Sequence, residues 1–351
     1  MCEPDRRWRL GGLRRDVLAG AFAFAAATLV WLAAAPAQQI IQPVGPAWSV
    51  QPKFEKNADA RKAISGAACA PTLPPVCLAA NDEKKYAQFF SIKDKTLAPA
   101  ELIRLVPDKE NGFEFDELDA EGVAYDGGFF YVVGSHGAPR KSGMPVDASR
   151  FFIFRFKVNE QSGKPDFKFS DEEVDTKAIE KSSKLRDVIR KAPPLASFAE
   201  KPLNDENGAN IEGIAVKGPA IFLGFRGPVV SANAFILEVD VNRVFGPGDL
   251  DFAIHPIPLG ENTGIRDLAA LKTGMLILSG PAADIPGAYG ISHWNEQSRA
   301  WKPLATLDGI PSGGKPESLI VLDENDPQHY RVLVLIESIE NAHPLEYRVP
   351  R

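Results

Sequence analysis

The chain has 351 residues, of which 44% are hydrophobic and 25% are charged, and these proportions exclude a disordered or fibrous protein. Gly and Pro occur 29 times each, so turns are frequent and a helical bundle is not favoured. The formal net charge of −6 gives no electrostatic support for binding to nucleic acid.

The first 37 residues have the order of an export signal. A basic stretch, Arg6 to Arg15, precedes the uncharged apolar run Val17 to Ala35. Ala35-Pro36-Ala37 then offers the small residues of a cleavage site, and the pair Arg14-Arg15 resembles a twin-arginine signal. We expect a mature protein in the periplasm or outside the cell, free of the membrane; a retained membrane anchor is the alternative.

Two cysteines follow the signal and lie close together in the sequence. Cys69 and Cys77 flank a stretch whose prolines, Pro71, Pro74 and Pro75, force a turn. Cysteines on either side of a turn between strands can reach disulfide distance, and an exported protein can keep the bond. We predict a Cys69–Cys77 disulfide; two buried thiols are the alternative.

Five segments of the chain repeat one pattern of a short apolar strand, a turn and a second, more hydrophobic strand. They begin at Ile64, Ala120, Ile211, Ile265 and Pro316. Their equivalent second positions lie 56, 91, 54 and 51 residues apart. Units of about fifty residues that contain several strands are typical of propeller blades.

Apolar runs and alternation predict third and fourth strands in most units. The third strands are Tyr86 to Ile92, Phe151 to Val158, Ala234 to Val241 and Tyr289 to Trp294. The fourth strands are Glu101 to Val106, Ile254 to Leu259 and Trp301 to Leu307. The sequence therefore predicts an all-β protein, a propeller of four-stranded blades.

The second unit is longer than the others, and its extra chain maps to residues 159–208. This insertion is highly charged and lacks strand alternation. Leu185, Val188 and Ile189 predict one short amphipathic helix within it. We expect the insertion to lie on the surface, as a lid over one face of the propeller.

The last unit is short of an outer strand. We expect Trp48 to Phe54, within the N-terminal segment 38–63, to supply it and to close the ring, because closure removes exposed sheet edges. The propeller domain then covers 64–351 with five blades, or with six if the insertion hides another blade.

Two stretches carry a resemblance to a known family. IEGIA followed by GFRGP, from Ile211, and GIRDL followed by LILSGP, from Gly264, resemble the bacterial family called domain of unknown function 3616. The resemblance extends from about Ile64 to Ser338 and implies a propeller-like fold without an established activity. The EGVA motif at Glu121 and the EGIA motif at Glu212 are also similar to esterase-like phytase propellers. No functional residue is carried over from the first family, since it has no assigned site.

Polar residues recur at one position of the repeat, and they are Ser65, Glu121, Glu212, Arg266 and Glu317. A further acid, Asp267, directly follows Arg266. Innermost strands line the channel of a propeller, so symmetry brings these residues towards a common axis. Glu121, Glu212 and Glu317 could hold a divalent cation such as Ca²⁺. Glu121, Glu212 and Asp267 are candidates for a catalytic acid and base. Alternatively, each Glu accepts backbone N–H bonds or pairs with an arginine, which would fix blade to blade.

A second polar set lies where the second strands end. Arg226 there, together with Arg266, could present a forked cationic pair to phosphate or carboxylate, and Glu317 is a further candidate for ligand binding. Ser135 and His136 make a poor nucleophile and base, because adjacent strand residues point to opposite faces. His136 remains a candidate base or ligand, with a buried structural histidine as the alternative.

Two classes of function stay open. The first is an exported hydrolase, a metal-assisted or acid–base esterase or phosphoesterase that acts in the central funnel. The second is a non-catalytic propeller, expected to be a monomer, that binds a small anionic ligand or a protein through its loops. The sequence has no phosphate-binding glycine loop and no dinucleotide fingerprint.

Overall fold

The computed structural model of the protein describes residues 38–139 and 142–351. The predicted export signal, residues 1–37, lies outside the described residues. Within the described ranges, no helix has the length and apolar character needed to cross a membrane.

The described chain begins with two very short strands and then forms two blades. The N-terminal strands are β1 (Gln39–Ile41) and β2 (Ser49–Val50). The first blade contains β3 (Ile64–Ala70), β4 (Val76–Asn81), β5 (Tyr86–Lys93) and β6 (Thr96–Arg104), and a hairpin of β7 (Lys109–Glu110) and β8 (Phe113–Glu114) follows. The second blade contains β9 (Ala120–Asp126), β10 (Phe129–Gly134), β11 (Ile153–Lys157) and β12 (Ile179–Ser182).

Helices α1 (Lys184–Ile189) and α2 (Leu203–Glu206) lead into three further blades. The third blade contains β13 (Asn210–Lys217), β14 (Ala220–Gly227), β15 (Ala234–Asp240), helix α3 (Val241–Phe245) and β16 (Phe252–Ile257). The fourth contains β17 (Thr263–Ala270), β18 (Met275–Pro281), β19 (Tyr289–Trp294) and β20 (Trp301–Leu307). The fifth contains β21 (Lys315–Asp323), β22 (His329–Glu337) and β23 (Leu345–Pro350).

Each blade is an antiparallel sheet whose strands pair in sequence order, which is the meander expected from short turns. The hydrophobic core lies between neighbouring blades. Phe89 of the first blade, for example, contacts Phe130 and Phe156 of the second edge to face, with ring centroids 6.0 and 6.3 Å apart. The prediction of a five-bladed all-β propeller is confirmed.

The predicted way of closing the ring is wrong. β2 pairs in parallel with β6, so it is the outermost strand of the first blade and not of the fifth. β1 pairs in parallel with β20 and extends the fourth blade. Between them, the Val44 and Trp48 N–H groups donate to the carbonyls of Glu346 and Pro344 in the fifth blade, at 2.7 and 2.9 Å. Residues 39–50 therefore form a strap across the outside of the fifth blade, which keeps three strands of its own.

The aromatic residues that suggested a strand between 48 and 54 serve another purpose. Trp48 and Phe54 are buried in a cluster with Phe90 of the first blade and Leu333 of the fifth. Their side chains fill the space between these two blades, so their apolar character reflects packing and not a place in a sheet ladder.

The insertion at 159–208 holds one strand and two α-helices, as far as the described residues extend. The strand, β12, completes the second blade, and the sequence does not predict it because four residues are too few for a clear alternation. The predicted helix is confirmed as α1, whose residues Leu185, Val188 and Ile189 are all buried. The insertion therefore adds no sixth blade.

The predicted disulfide is present. Cys69 on β3 and Cys77 on β4 lie directly opposite each other in the ladder and are joined by the bond. The turn between them lies at the end of the axis where the inner strands finish.

Candidate functional site

The inner strands β3, β9, β13, β17 and β21 all start at one end of the propeller axis and bring the predicted polar residues there. The five side chains are all buried, with 5% or less of their surface exposed: Ser65, Glu121, Glu212, Arg266 and Glu317. The repeat therefore places all five polar side chains in the interior.

The glycine that follows the repeated polar position in the first three blades allows the inner strands to approach closely. A Cβ atom on Gly213 would lie 2.9 Å from the backbone carbon of Asp267, and one on Gly66 would lie 2.6 Å from the Cα atom of Gly122. Any side chain at either position would clash with a neighbouring backbone. Beyond this constriction, small and apolar residues of the five inner strands line a channel of about 140 Å³.

Five charged residues form a chain of alternating sign across three blades, and we call it the charge chain: Asp284, Arg226, Glu212, Arg266 and Glu317. Arg226 donates from Nη1 to Glu212 Oε1 at 2.9 Å. Arg266 Nε lies 3.0 Å from Glu212 Oε2, and Arg266 Nη2 contacts Glu317 Oε1. Glu212 is thus held between two arginines.

Arg226 has two further partners, both contributed by the loop after β18 in the fourth blade. Its Nε donates to the carbonyl oxygen of Ala282, and its Nη2 donates to Asp284 Oδ1, each at 2.9 Å. The buried guanidinium of the third blade is therefore tied to the fourth blade by one backbone contact and one ion pair.

The two arginines differ in how their surroundings act on them. Burial opposes the charge of Arg226, but the charges of Glu212 and Asp284 outweigh it and raise the pKa of Arg226 above its ordinary value. At Arg266, burial dominates over the attraction of Glu212 and lowers the pKa. The charge chain is therefore held together by its acids, and loss of one acid leaves a buried cation uncompensated.

Asp267 binds backbone N–H groups and not the arginines of the charge chain. Its Oδ1 accepts the N–H of Leu268 and its Oδ2 accepts the N–H of Leu319 on β21, both at 2.7 Å. Burial raises the pKa of Asp267 well above its ordinary value, although both N–H bonds act in the opposite direction. Asp267 links the inner strands of the fourth and fifth blades, and its geometry is that of a structural residue.

His136 is also buried, with contacts in the second blade. Its Nδ1 lies 2.9 Å from the carbonyl oxygen of Gly134, and its ring packs edge to face on Phe151. Burial lowers the pKa of His136 to about 4. The adjacent Ser135 Oγ accepts the N–H of Gly137, and both residues lie after β10, which ends at Gly134, so the strand alternation assumed for them does not apply.

A metal site formed by the glutamates has no counterpart in the described part of the chain. No group of three His, Cys, Asp or Glu side chains within residues 38–139 and 142–351 could hold a metal ion. Glu212 and Glu317 face arginines, and Glu121 is buried and not without a partner. Of the alternatives drawn from the sequence, the arginine pairing is the one that the structure contains for Glu212 and Glu317.

A cleft of about 490 Å³ opens beside the charge chain, between loops of the fourth and fifth blades. We call it the blade 4–5 cleft. Its charged lining residues are Arg226, Asp284 and Lys315, and Tyr289 adds an aromatic side chain. Lys315 Nζ lies 3.2 Å from Glu337 Oε2, with about a quarter of the lysine side chain exposed. The lining thus carries two cations and one acid.

Asp284, Tyr289 and Lys315 were missed as site residues by the sequence analysis. Asp284 lies in the loop after β18, outside the repeated strands. Lys315 begins β21, two residues before the repeated Glu317, and Tyr289 begins β19. A polar or aromatic residue at the end of a strand was the signal that could have identified Lys315 and Tyr289. The same signal identified Arg226, which lies near the end of β14.

The family model described as protein of unknown function (DUF3616) matches residues 77–342. The chain belongs to this family. The match includes the residues of the charge chain and most of the propeller, and the resemblance seen in the sequence is confirmed. No curated protein matches this DUF3616 chain.

Solved structures similar to this DUF3616 protein come from distant proteins. An N-acetylgalactosamine deacetylase from F. plautii, in complex with blood group B trisaccharide, has 8% identity and a TM-score of 0.45, covering 88% of this chain and 94% of that one. The major allergen Mala s 1 of Malassezia sympodialis has 11% identity and a TM-score of 0.36, covering 82% and 77%. A Lactobacillus plantarum protein has 10% identity and a TM-score of 0.35, covering 82% and 71%.

Proposed function

We propose that the protein is an exported, non-catalytic propeller that binds a small ligand with an anionic group in the blade 4–5 cleft. One observation carries this proposal: the cleft is lined by two cations, Arg226 and Lys315, and by the acid Asp284, whereas Glu212 and Glu337, which also contact these cations, do not line it. Guanidinium and ammonium groups are the usual partners of carboxylate and phosphate in proteins.

The body of the cleft suits a ligand with a flat or partly apolar part. Tyr289 lines the cleft together with Pro281, Ile285 and Pro286. Binding pockets commonly combine such apolar walls with a few polar groups that fix the orientation of the ligand. A ligand that stacks on Tyr289 and directs its anionic group towards Arg226 and Lys315 would use both features.

The hydrolase interpretation is less well supported, because its candidate residues are engaged elsewhere. Glu212 and Glu317 contact arginines, Asp267 accepts two backbone N–H bonds, and His136 is buried in the second blade. General acid–base catalysis needs a titrating group within hydrogen-bond reach of the substrate.

The proposal is tested by titrating the purified protein with small anions. Citrate, inorganic phosphate and galacturonate are added in turn, and heat of binding and melting temperature are measured. The variant Lys315→Gln should bind the responding anion about tenfold more weakly, since a hydrogen bond to a charged group contributes about 1.5–3 kcal/mol.

The matched control is Lys217→Gln. Lys217 also pairs with a glutamate, at 2.6 Å from Glu296, but it lies at the opposite end of its inner strand. The control should bind like the wild type. The proposal fails if no anion binds, or if both lysine variants lose affinity equally.

A further inference from the structure

We propose that the Asp284 carboxylate occupies the position that the ligand's anionic group takes on Arg226, and that ligand binding displaces it. This inference rests on the proposed function, and it adds a competitor within the protein itself. In the free protein the Asp284 carboxylate then occupies the anion site, and an anion that binds Arg226 more tightly displaces it.

The partners of Arg226 differ in exposure, and this difference identifies the exchangeable one. Glu212 is 3% exposed and Ala282 contributes a backbone carbonyl, so both contacts are fixed within the packed interior. The Asp284 side chain is 36% exposed and lines the cleft. Although Arg226 itself is buried, the Asp284 carboxylate can leave the pair through the cleft, whereas Glu212 cannot leave without opening the interior.

Asp284 is held in place by the insertion of the second blade. Asn204, in α2, donates from Nδ2 to Asp284 Oδ2 at 2.9 Å. The Asp284 N–H donates in return to Asn204 Oδ1 at 3.1 Å. This reciprocal pair holds one oxygen of the carboxylate while the other oxygen faces Arg226. Displacement of Asp284 from Arg226 therefore also loosens the contact between α2 and the cleft.

Competition with Asp284 restricts which ligands can bind Arg226 tightly. An anion that offers Arg226 only one carboxylate gains little, because it replaces a contact that already exists at high effective concentration. A ligand that also engages Lys315 gains a contact that Asp284 does not supply. The expected ligand class is therefore a small molecule with an anionic group and a second polar anchor, such as a di- or tricarboxylate or a phosphate ester.

Exchange at Arg226 is tested with Asp284→Asn and with inorganic phosphate and citrate as the probes. The amide of the variant is a neutral and weaker competitor, so both anions should bind at least tenfold more tightly than to the wild type, as measured by calorimetry. Asp119→Asn is the matched control, since Asp119 pairs with Arg150 at 3.0 Å and is similarly part-buried. It should leave both affinities unchanged.

A second measurement follows α2 in the wild type. Hydrogen exchange at residues 203–206 should become faster when citrate is bound, and Asn204→Ala should show fast exchange without citrate. If citrate slows exchange there, or if Asp284→Asn binds both probes no more tightly than the wild type, the inference is overturned. The proposed function is judged separately, by the loss of citrate binding in Lys315→Gln.

Discussion

Asp267 and Leu319 join the inner strands of the fourth and fifth blades through one hydrogen bond of 2.7 Å, from the Leu319 N–H to Asp267 Oδ2. The first three blades have glycine at the position of Asp267, where neighbouring strands lie too close for a side chain. Between the fourth and fifth blades the same position holds a carboxyl that accepts a backbone N–H from the neighbour. The inner strands of the fourth and fifth blades are thus joined by a side chain, whereas three other pairs of neighbouring inner strands are in close contact at a glycine.

Removal of this carboxyl should destabilise the protein. Asp267→Ala leaves the buried N–H groups of Leu268 and Leu319 without their acceptor, and each such loss costs about 1–3 kcal/mol. Urea denaturation should therefore show a free energy of unfolding lower by at least about 2 kcal/mol. Asp251→Ala, at an exposed position, should stay within about 0.5 kcal/mol of the wild type. Equal midpoints for the two variants would contradict the structural role.

Replacing Glu212 by Gln separates a structural charge chain from a binding site. The change keeps the shape of the side chain but leaves Arg226 and Arg266 without their shared acid, so we expect about 3–5 kcal/mol of destabilisation. Glu238→Gln is the comparison, because Glu238 makes a surface pair with Arg299 and its loss should cost about 1 kcal/mol or less. Denaturant titration measures both. A Glu212→Gln protein as stable as the wild type would contradict the structural role of the charge chain.

His136 should make the stability fall in acid. Burial lowers the pKa of His136 to about 4 in the folded protein, against an ordinary value of 6.5. Below pH 6.5 the unfolded chain therefore binds this proton more readily than the folded protein does, and stability is lost progressively between pH 6.5 and pH 4. The total loss approaches about 3 kcal/mol.

The substitution His136→Asn should remove this part of the pH dependence. Asparagine tolerates the left-handed backbone conformation of this position, where φ is 52°. Unfolding free energies of the wild type and the variant are compared from pH 7 down to pH 4. The difference between them should shrink as the pH falls, and parallel curves would refute the assignment.

Trp48 should be a major contributor to the contact between the strap and the ring. It is buried together with Phe54 between the first and fifth blades. Trp48→Ala removes this packing and should cost about 3–5 kcal/mol, as measured by chemical denaturation. Ile40→Ala, in the same segment but 67% exposed, is the matched control and should cost less than about 1 kcal/mol. A similar cost for both variants would contradict the anchoring role of Trp48.

The sequence predicted the repeated features well and the unique ones poorly. Inner and second strands recur in every blade, so the repeated position of Glu212, Arg266 and Glu317 was enough to place them at one end of the axis. Asp284 occurs once, in a loop, and its role depends on Arg226 of another blade. Pairing partners are equally invisible in a single sequence, because the apolar pattern of residues 48–54 shows that they are buried but not against which blade.

The strap also constrains the order in which the chain can fold. Gln38 donates from Nε2 to the carbonyl oxygen of Ala305, a partner 267 positions later, and Gln42 reaches Asp308 across 266 positions. Contacts of such long sequence separation carry a large loop-closure entropy and form slowly. During synthesis, Gln38 and Gln42 cannot form these contacts until the chain has been made as far as Ala305 and Asp308. Premature termination before the fifth blade would leave the strap and the facing sides of the first and fourth blades uncovered, as surfaces prone to aggregation.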